Sequence, residues 1–265
     1  MSIHEAVAHL GRNRISLWEE QGALRFRAPQ GSMHEEARAL LKPYRDELRD
    51  CVGRFAPYPC ILAPASLNQA ALWFIQKLDS QTASYNVALS FRHCTRFDPE
   101  VFSATFRAFC NRHDQLRTSF AILGTSLAGS HQLCQIIPDH RDVPVRFVSC
   151  VGLDEEELEQ SVSEDYLRPF DLGAGPLLRC TVFVEQSGEP VVLFTFHHSI
   201  IDAWSLRLLV TDFFSLYQRN QSGVSFHEDR RPTRVDYIDY TLCQAARGRG
   251  RGMPSGSRAA SGRGP

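Results

Sequence analysis

Residues 191–205 read VVLFTFHHSIIDAWS, and the fold turns on what this stretch becomes. From Val191 to Phe196 the side chains are β-branched, aliphatic or aromatic, the composition of a buried strand. Two histidines end the run, His197 and His198; Asp202 follows, and a helical pattern begins at once. Neighbouring residues of a strand point to opposite faces, so one histidine meets a packed layer while the other faces a cleft. That divergence keeps the pair from sharing a metal ion, and no third ligand lies nearby, so no metal is expected. A buried histidine on its own is more often a satisfied core residue than a catalyst. Asp202 shifts the balance toward chemistry, because it can orient the imidazole or lock the loop against a buried arginine.

Upstream, CTVFVEQSGEPVVLFTF makes this strand the second of a hairpin that turns at Gly188. The loop RPFDLGAGPLLR enters the hairpin from an acidic helix that starts at Asp154, carries Glu155, Glu156 and Glu157 at its positive end and exits at Pro169. Strands are expected at 133–137 and 143–148, after a surface loop at 124–130. Farther back, Asp98 caps a helix with Pro99 at its first position and Val101, Phe102, Phe106 and Phe109 on its apolar side. That helix closes at RHDQLRTSF, where Arg112 and Arg117 sit among core-like residues and a strand starts at 118. Before it come a strand at 86–91 and a helix opened by Ser66. Leu67, Ala71, Leu72, Phe74, Ile75 and Leu78 are predicted to form the buried face of the latter. Helices and strands mixed in this way make an α/β (α+β) protein.

Residues 56–65, APYPCILAPA, are proline-rich and predict an extended linker. Ahead of it, residues 1–55 form a unit of their own. Ser2 caps a helix with Ile3, Val7 and Leu10 on one face, stopped by Gly11 and Asn13. A hairpin follows, alternating Ile15, Leu17, Leu24 and Phe26 around a turn at Glu20, Gln21 and Gly22. Ser32 and Glu35 then make a capping box for a helix bearing Met33, Ala37, Leu40, Leu41, Tyr44, Leu48 and Val52, bent at Pro43. An isolated two-stranded hairpin leaves open edges. Arg25 and Arg27, alternating with apolar neighbours, suit an acidic peptide added as a third strand; from these residues alone an ordinary solvated strand face is the favoured reading.

Composition narrows the classes of partner. The 265 residues are 43% apolar, enough for a packed core, and a net charge of -1 gives no global pull toward nucleic acid or an anionic membrane. No apolar run approaches the roughly 18 residues of a membrane-spanning helix, and the N-terminus lacks the apolar core of a signal peptide, so a cytoplasmic protein is expected. Eight cysteines include no CxxC pair and no zinc-finger spacing to histidine; they are expected to be free and structural. Residues 245–265, rich in arginine, glycine and serine, cannot bury a core and are expected to be disordered.

The order RISLWEEQGALRFRAPQGSMHEEARALLKPYRDEL is similar to the TubC-like N-terminal docking domains of nonribosomal peptide synthetase subunits. The resemblance implies a small αββα docking domain over 1–55. It further implies that the C-terminal peptide of an upstream subunit adds to the hairpin, with Arg25 and Arg27 as candidate docking residues, and that the domain can form a homodimer.

HHSIIDAWS in turn resembles the HHxxxDGxS motif of the condensation domains of these synthetases. SLNQAALWFIQKL, RHDQLRTSF, RPFDLGAGPLLR and YIDYTLCQ look like further condensation-domain signatures in the family's order. The resemblance spans 62–244 and corresponds to the N-terminal lobe of a chloramphenicol-acetyltransferase-like fold, so half of that fold is expected. It implies amide-bond formation between two thioesters, each presented on the phosphopantetheine of a donor or acceptor carrier protein, with no cofactor bound directly. In that scheme His198 positions or deprotonates the attacking amine, His197 and Ser205 support the geometry, and Asp202 pairs with Arg117. Ala203 stands where the family has glycine, a departure that matters if the backbone there needs positive φ. The active site of a condensation domain lies between two lobes, and the second is missing from this sequence. A non-catalytic docking module of an assembly line is therefore the alternative to an acyltransferase.

Overall fold

The computed structural model describes residues 2–54, 58–92, 97–124, 131–185, 189–223 and 236–249. The chain runs α1 (Ile3–Arg12), β1 (Ser16–Glu20), β2 (Ala23–Arg27), α2 (Glu35–Leu41), α3 (Arg45–Gly53), β3 (Cys60–Pro64), α4 (Leu67–Leu78), β4 (Asn86–Arg92) and α5 (Pro99–Arg112). It continues through α6 (Asp114–Arg117), β5 (Ser119–Leu123), β6 (Gln132–Pro138), β7 (Val145–Ser149), α7 (Glu155–Tyr166), β8 (Leu178–Val184), β9 (Val191–His197), α8 (Ala203–Gln221) and α9 (Tyr237–Arg249). These elements build two sheets, one ordered β2-β1-β3-β6-β5 and the other β4-β9-β8-β7.

Strand β9 is buried along its whole length, as its composition requires. It lies between antiparallel neighbours β4 and β8, and its even-numbered side chains meet α5 and α8. Phe194 sits at the centre of that core, its ring 5.7 Å from Phe106 and 5.0 Å from Phe213. Stacked and edge-on aromatic pairs of this kind contribute beyond the area they bury. Asp98 caps α5 as expected, accepting from the backbone of Glu100 and Val101. The expected turn at Gly188 and most of the 124–130 loop lie outside the described residues.

The N-terminal unit departs from its sequence reading in three places. Residues 60–64 are no free linker: they form β3, which pairs with β1 at Leu17↔Cys60 and with β6 at Cys60↔Pro138, so one sheet runs through both units. A strand flanked by prolines satisfies its backbone groups wherever neighbours are available. Gly11 does not stop α1; the helix continues to Arg12, and a Cβ at Gly11 would stand 3.0 Å from the Cβ of Ala63. Glycine serves there to let helix and strand approach. The box of Ser32 and Glu35 does not form, because His34 takes the cap of α2 and accepts from Ala37. The other end of the chain differs too: 245–249 are helical as the last turns of α9 rather than disordered, and 250–265 lie outside the described residues.

Helix α4 reverses its predicted orientation. Its apolar stripe faces out, with Leu67 71%, Phe74 59% and Leu78 72% exposed, while Gln69 and Gln76 are buried. The glutamines are turned in because partners wait for them. Gln69 Nε2 donates to Gln135 Oε1 at 3.2 Å and to the Ser199 carbonyl at 3.1 Å, and Gln76 Nε2 donates to the Phe170 carbonyl at 3.4 Å.

Among the described residues no helix is long and apolar enough to cross a membrane. The cysteines at 51, 60, 110, 134, 150 and 180 are free and buried. Desolvation pushes the Cys51 thiol up to about 11 and the Cys180 thiol well above its usual range, so these side chains serve as small hydrophobes.

Candidate active site

The two histidines diverge at the end of β9 as a strand demands. His197 is 1% exposed, its ring set between Tyr85 and Phe170 with centroids 6.4 and 6.2 Å away. Its Nδ1 accepts from the Ser199 backbone N–H at 3.1 Å and lies 2.8 Å from the Ser199 hydroxyl. Burial, with the neighbouring charge of His198 second, lowers its pKa to about 4, so the ring is neutral near pH 7.

His198, one residue on, is exposed. Its backbone N–H donates to the Tyr85 carbonyl at 2.8 Å, and its Nδ1 donates to the Ile201 carbonyl at 2.7 Å. A carbonyl can only accept, so that bond fixes the proton on Nδ1 and leaves Nε2 of the neutral ring with its lone pair free for a substrate. This is the arrangement of a base, or of an acceptor that anchors an amine.

Asp202 does not pair with Arg117. It caps α8, accepting from the Ser205 N–H at 2.7 Å, and that bond, joined by the Ser205 hydroxyl, holds its carboxyl below the usual range. Arg117, 2% exposed, is held elsewhere. Its Nε donates to the Pro138 carbonyl at 2.8 Å, its Nη1 to the carbonyls of Cys110 and Asn111, and its Nη2 to Asp114 Oδ1 at 2.6 Å. The single turn of α6 places Asp114 three residues before Arg117, and the ends of α5 and β6 supply the carbonyls. Arg117 thus ties α5 to β6, and Asp202 starts the helix behind His198. Ala203 needs no positive φ, since it is already the first residue of that helix.

A family profile described as the condensation domain matches residues 62–250, and the TubC N-terminal docking domain profile matches residues 3–48. The chain belongs to the condensation-domain family. It is similar to the dimodular nonribosomal peptide synthase of Bacillus subtilis, 32% identical over 181 residues, covering 68% of this chain and 7% of that protein. Among solved structures, the starter condensation domain of rhizomide synthetase RzmA superposes with a TM-score of 0.60 at 20% identity, covering 70% of this chain and 45% of that one. The cyclization-docking bidomain of EpoB from Sorangium cellulosum covers 92% of this chain and 49% of that one, with a TM-score of 0.52 at 17% identity. The chain therefore spans less than half the length of each of these proteins.

Two features of this condensation-domain chain had no role assigned from sequence. Ser199 clamps the His197 ring, and Gln69 of the SLNQA signature holds the Ser199 carbonyl, so α4 and the histidine turn are one unit. The signal was present in the quoted motifs, but nothing in them says what a glutamine touches. The second feature is the open flank: Trp204 is 69% and Leu208 58% exposed at the start of α8, and both follow His198 closely in the chain.

The docking hairpin turns through Gln21 and Gly22, both at positive φ, as a two-residue hairpin loop requires. Pairing with β3 covers one of its edges, and β2 remains at the edge of the sheet. Arg25 lies on this strand 3.1 Å from Glu20, and Arg27 pairs with Asp139 at the end of β6. Both arginines are exposed.

Proposed function

We propose that this condensation domain forms an amide bond between two thioesters carried on the phosphopantetheine arms of donor and acceptor carrier proteins, in the cytoplasm. The observation that carries the reading is His198, exposed at the end of a buried strand with Nδ1 committed to the Ile201 carbonyl and Nε2 open. The acceptor amine attacks the donor carbonyl. A C–N bond forms and the C–S bond breaks; the amine proton passes to Nε2 and from there to the departing sulfur, or goes to that sulfur while Nε2 anchors the amine, and the donor's pantetheine leaves as the thiol. General-base help of this kind is worth about 10²–10⁴-fold. Asp202 and Ser205 fix the helix start behind the imidazole, and His197 with Ser199 fixes the turn. The exposed stripes of α4 and α8 receive a second lobe, which completes the site and orients both substrates.

At the other end of the chain, the edge of β2 takes the C-terminal peptide of an upstream synthetase subunit by strand addition, with Arg25 and Arg27 exchanging their present partners for acidic side chains; the same domain can form a homodimer. A second reading, a docking module without turnover, is favoured by the open flank at Trp204 and Leu208, which gives His198 a single wall.

One reconstitution separates the two. Donor and acceptor carrier proteins bearing aminoacyl thioesters are mixed with the chain, alone and with the second lobe of a condensation domain. Dipeptidyl product that falls about 10²–10⁴-fold in His198→Ala supports the enzyme. Undiminished product in His198→Ala removes the histidine from the reaction. Peptide binding at β2 with no product under either condition leaves the docking module.

A further inference from the structure

Four polar atoms on one face of the β4-β9-β8 sheet are buried without a protein partner: Asn86 Oδ1, Thr195 Oγ1, His197 Nε2 and Arg179 Nε. The register brings them together. Asn86 stands directly opposite His197, and Arg179 directly opposite Thr195, which lies two residues from His197 on the same face of β9. The side chains converge as well. Asn86 Nδ2 donates to the Arg168 carbonyl at 3.0 Å, and Arg179 Nη2 donates to the same oxygen at 2.6 Å. The Phe170 ring bridges the group, 3.9 Å from the Arg179 guanidinium and 6.2 Å from the His197 ring. Thr195 is 0% and His197 1% exposed, so bulk solvent does not satisfy them.

Other bonds fix the hydrogen-bonding roles of His197 and Asn86. Ser199 N–H donates to His197 Nδ1, which puts the ring proton on Nε2. Asn86 gives its amide hydrogens to the carbonyls of Tyr166 and Arg168, which leaves Oδ1 as an acceptor. Arg179 Nε is a donor and Thr195 Oγ1 can accept. Two donors and two acceptors on one sheet face, grouped about the Arg168 carbonyl and the Phe170 ring, are the complement of a single water molecule, whereas four unmade bonds would each cost about 1–3 kcal/mol.

We propose that a buried water molecule occupies this position, accepting from His197 Nε2 and Arg179 Nε and donating to Asn86 Oδ1 and Thr195 Oγ1. Through it Asn86, Thr195 and Arg179 are positioning residues: they fix the His197 ring, whose Nδ1 holds Ser199 and with it the turn that presents His198. The consequence for His198 rests on the catalytic reading above; the water site does not.

Nitrogen-edited NMR of the full chain with labelled histidine tests it. The expected spectrum shows His197 as the Nε2–H tautomer, with a slowly exchanging Hε2 resonance that gives a cross-peak to bound water. Thr195→Val, which keeps the volume and removes one partner, should speed Hε2 exchange about tenfold, the loss of roughly one hydrogen bond, and Thr195→Ser should restore it. A proton on Nδ1, an Hε2 signal without water contact, or an exchange rate unchanged in Thr195→Val would each overturn the site. The wild-type spectrum decides even if the valine variant fails to fold. No readout requires turnover, so an inactive chain leaves the test standing.

Discussion

Helix α5 turns Phe102, Phe106 and Phe109 into the core and keeps the charged Glu100 and Arg107 outside, whereas α4, with an apolar stripe of comparable breadth, buries its glutamines and exposes Leu67, Phe74 and Leu78. Both helices are amphipathic, so periodicity alone cannot tell them apart. What differs is the surface each one meets. The α5 stripe finds Phe194 and Phe213 across from it. The polar side of α4 finds carbonyls and amides where strands end, at Ser199, Gln135 and Phe170. A helix rotates so that its buried donors are bonded, because leaving them unbonded costs more than leaving leucines in water; on α4 the amide nitrogens of Gln69 and Gln76 are bonded, and Gln76 Oε1 has no protein partner among the described residues.

The contrast can be broken most forcefully at the centre of the apolar side. Phe194→Ala removes the ring that Phe102, Phe106 and Phe213 pack around, and the expected loss is about 3–5 kcal/mol, read as a fall in the urea midpoint with an unchanged slope. An effect below about 1 kcal/mol would mean that the α5 side is not the core.

Acid should act next, through the strand end that α4 is tied to. His197 titrates near 6.5 when unfolded and near 4 in the fold. Its neutral form is therefore favoured by folding. That stability is complete above about pH 6.5, falls as pH drops through the interval between the two values, and is gone below about pH 4. The shift corresponds to about 3 kcal/mol. Asp202 and Asp212, both held below the usual carboxyl range, add a loss at the acid end of this window and beyond it. Unfolding free energies between pH 7 and pH 4 should decline in the wild type, and His197→Gln should flatten the upper part of the decline. An unchanged pH profile in His197→Gln would show that the ring is not buried neutral.

Strand β9 is legible in the sequence because an unbroken run of β-branched and aromatic residues has few destinations other than a buried strand, and α5 is legible because Asp98 and Pro99 mark its start. The divergence of His197 and His198 follows from strand geometry alone. What cannot be read depends on contacts distant in the chain. Nothing near Gln69 names Ser199, 130 residues away, as its partner. The pairing of Cys60 with Leu17 is hidden because prolines around 56–65 suggest a spacer and carry no information about neighbouring strands. The place of Asp202 after the histidines suggests an ion-pair partner, although an aspartate three residues before a helical serine is also a cap, and Arg117 is already satisfied locally by Asp114.

Gln76→Leu sharpens the comparison at a smaller scale. It makes α4 apolar on both sides and leaves the carbonyls of Phe170, Ser80 and Thr82 without that donor. If polar contacts set the rotation of the helix, the substitution costs about 1–3 kcal/mol despite adding a hydrophobic residue at a buried site. If burial of apolar area set it, the variant would be as stable as the wild type or more so, and the account of α4 would fail.

The smallest effect on stability is expected on the outer face of α4, and it is the most informative about function. Phe74 and Leu78 touch water in the isolated chain, so Phe74→Ser and Leu78→Ser together should change the unfolding free energy by less than about 0.5 kcal/mol each. A contiguous apolar stripe of this kind does little for the fold that carries it but favours whatever can cover it. The double variant should therefore bind less of a hydrophobic dye and self-associate less than the wild type at equal concentration, while losing its ability to be completed by a second lobe in the amide-forming assay. Should the two serines cost several kcal/mol, α4 would be packed like α5, and the asymmetry between the helices would not exist in solution. Should they leave stability, dye binding and completion all unchanged, the stripe would be inert, and the opposite wall of the His198 site would have to rest on α8, where Trp204 and Leu208 are the remaining exposed anchors.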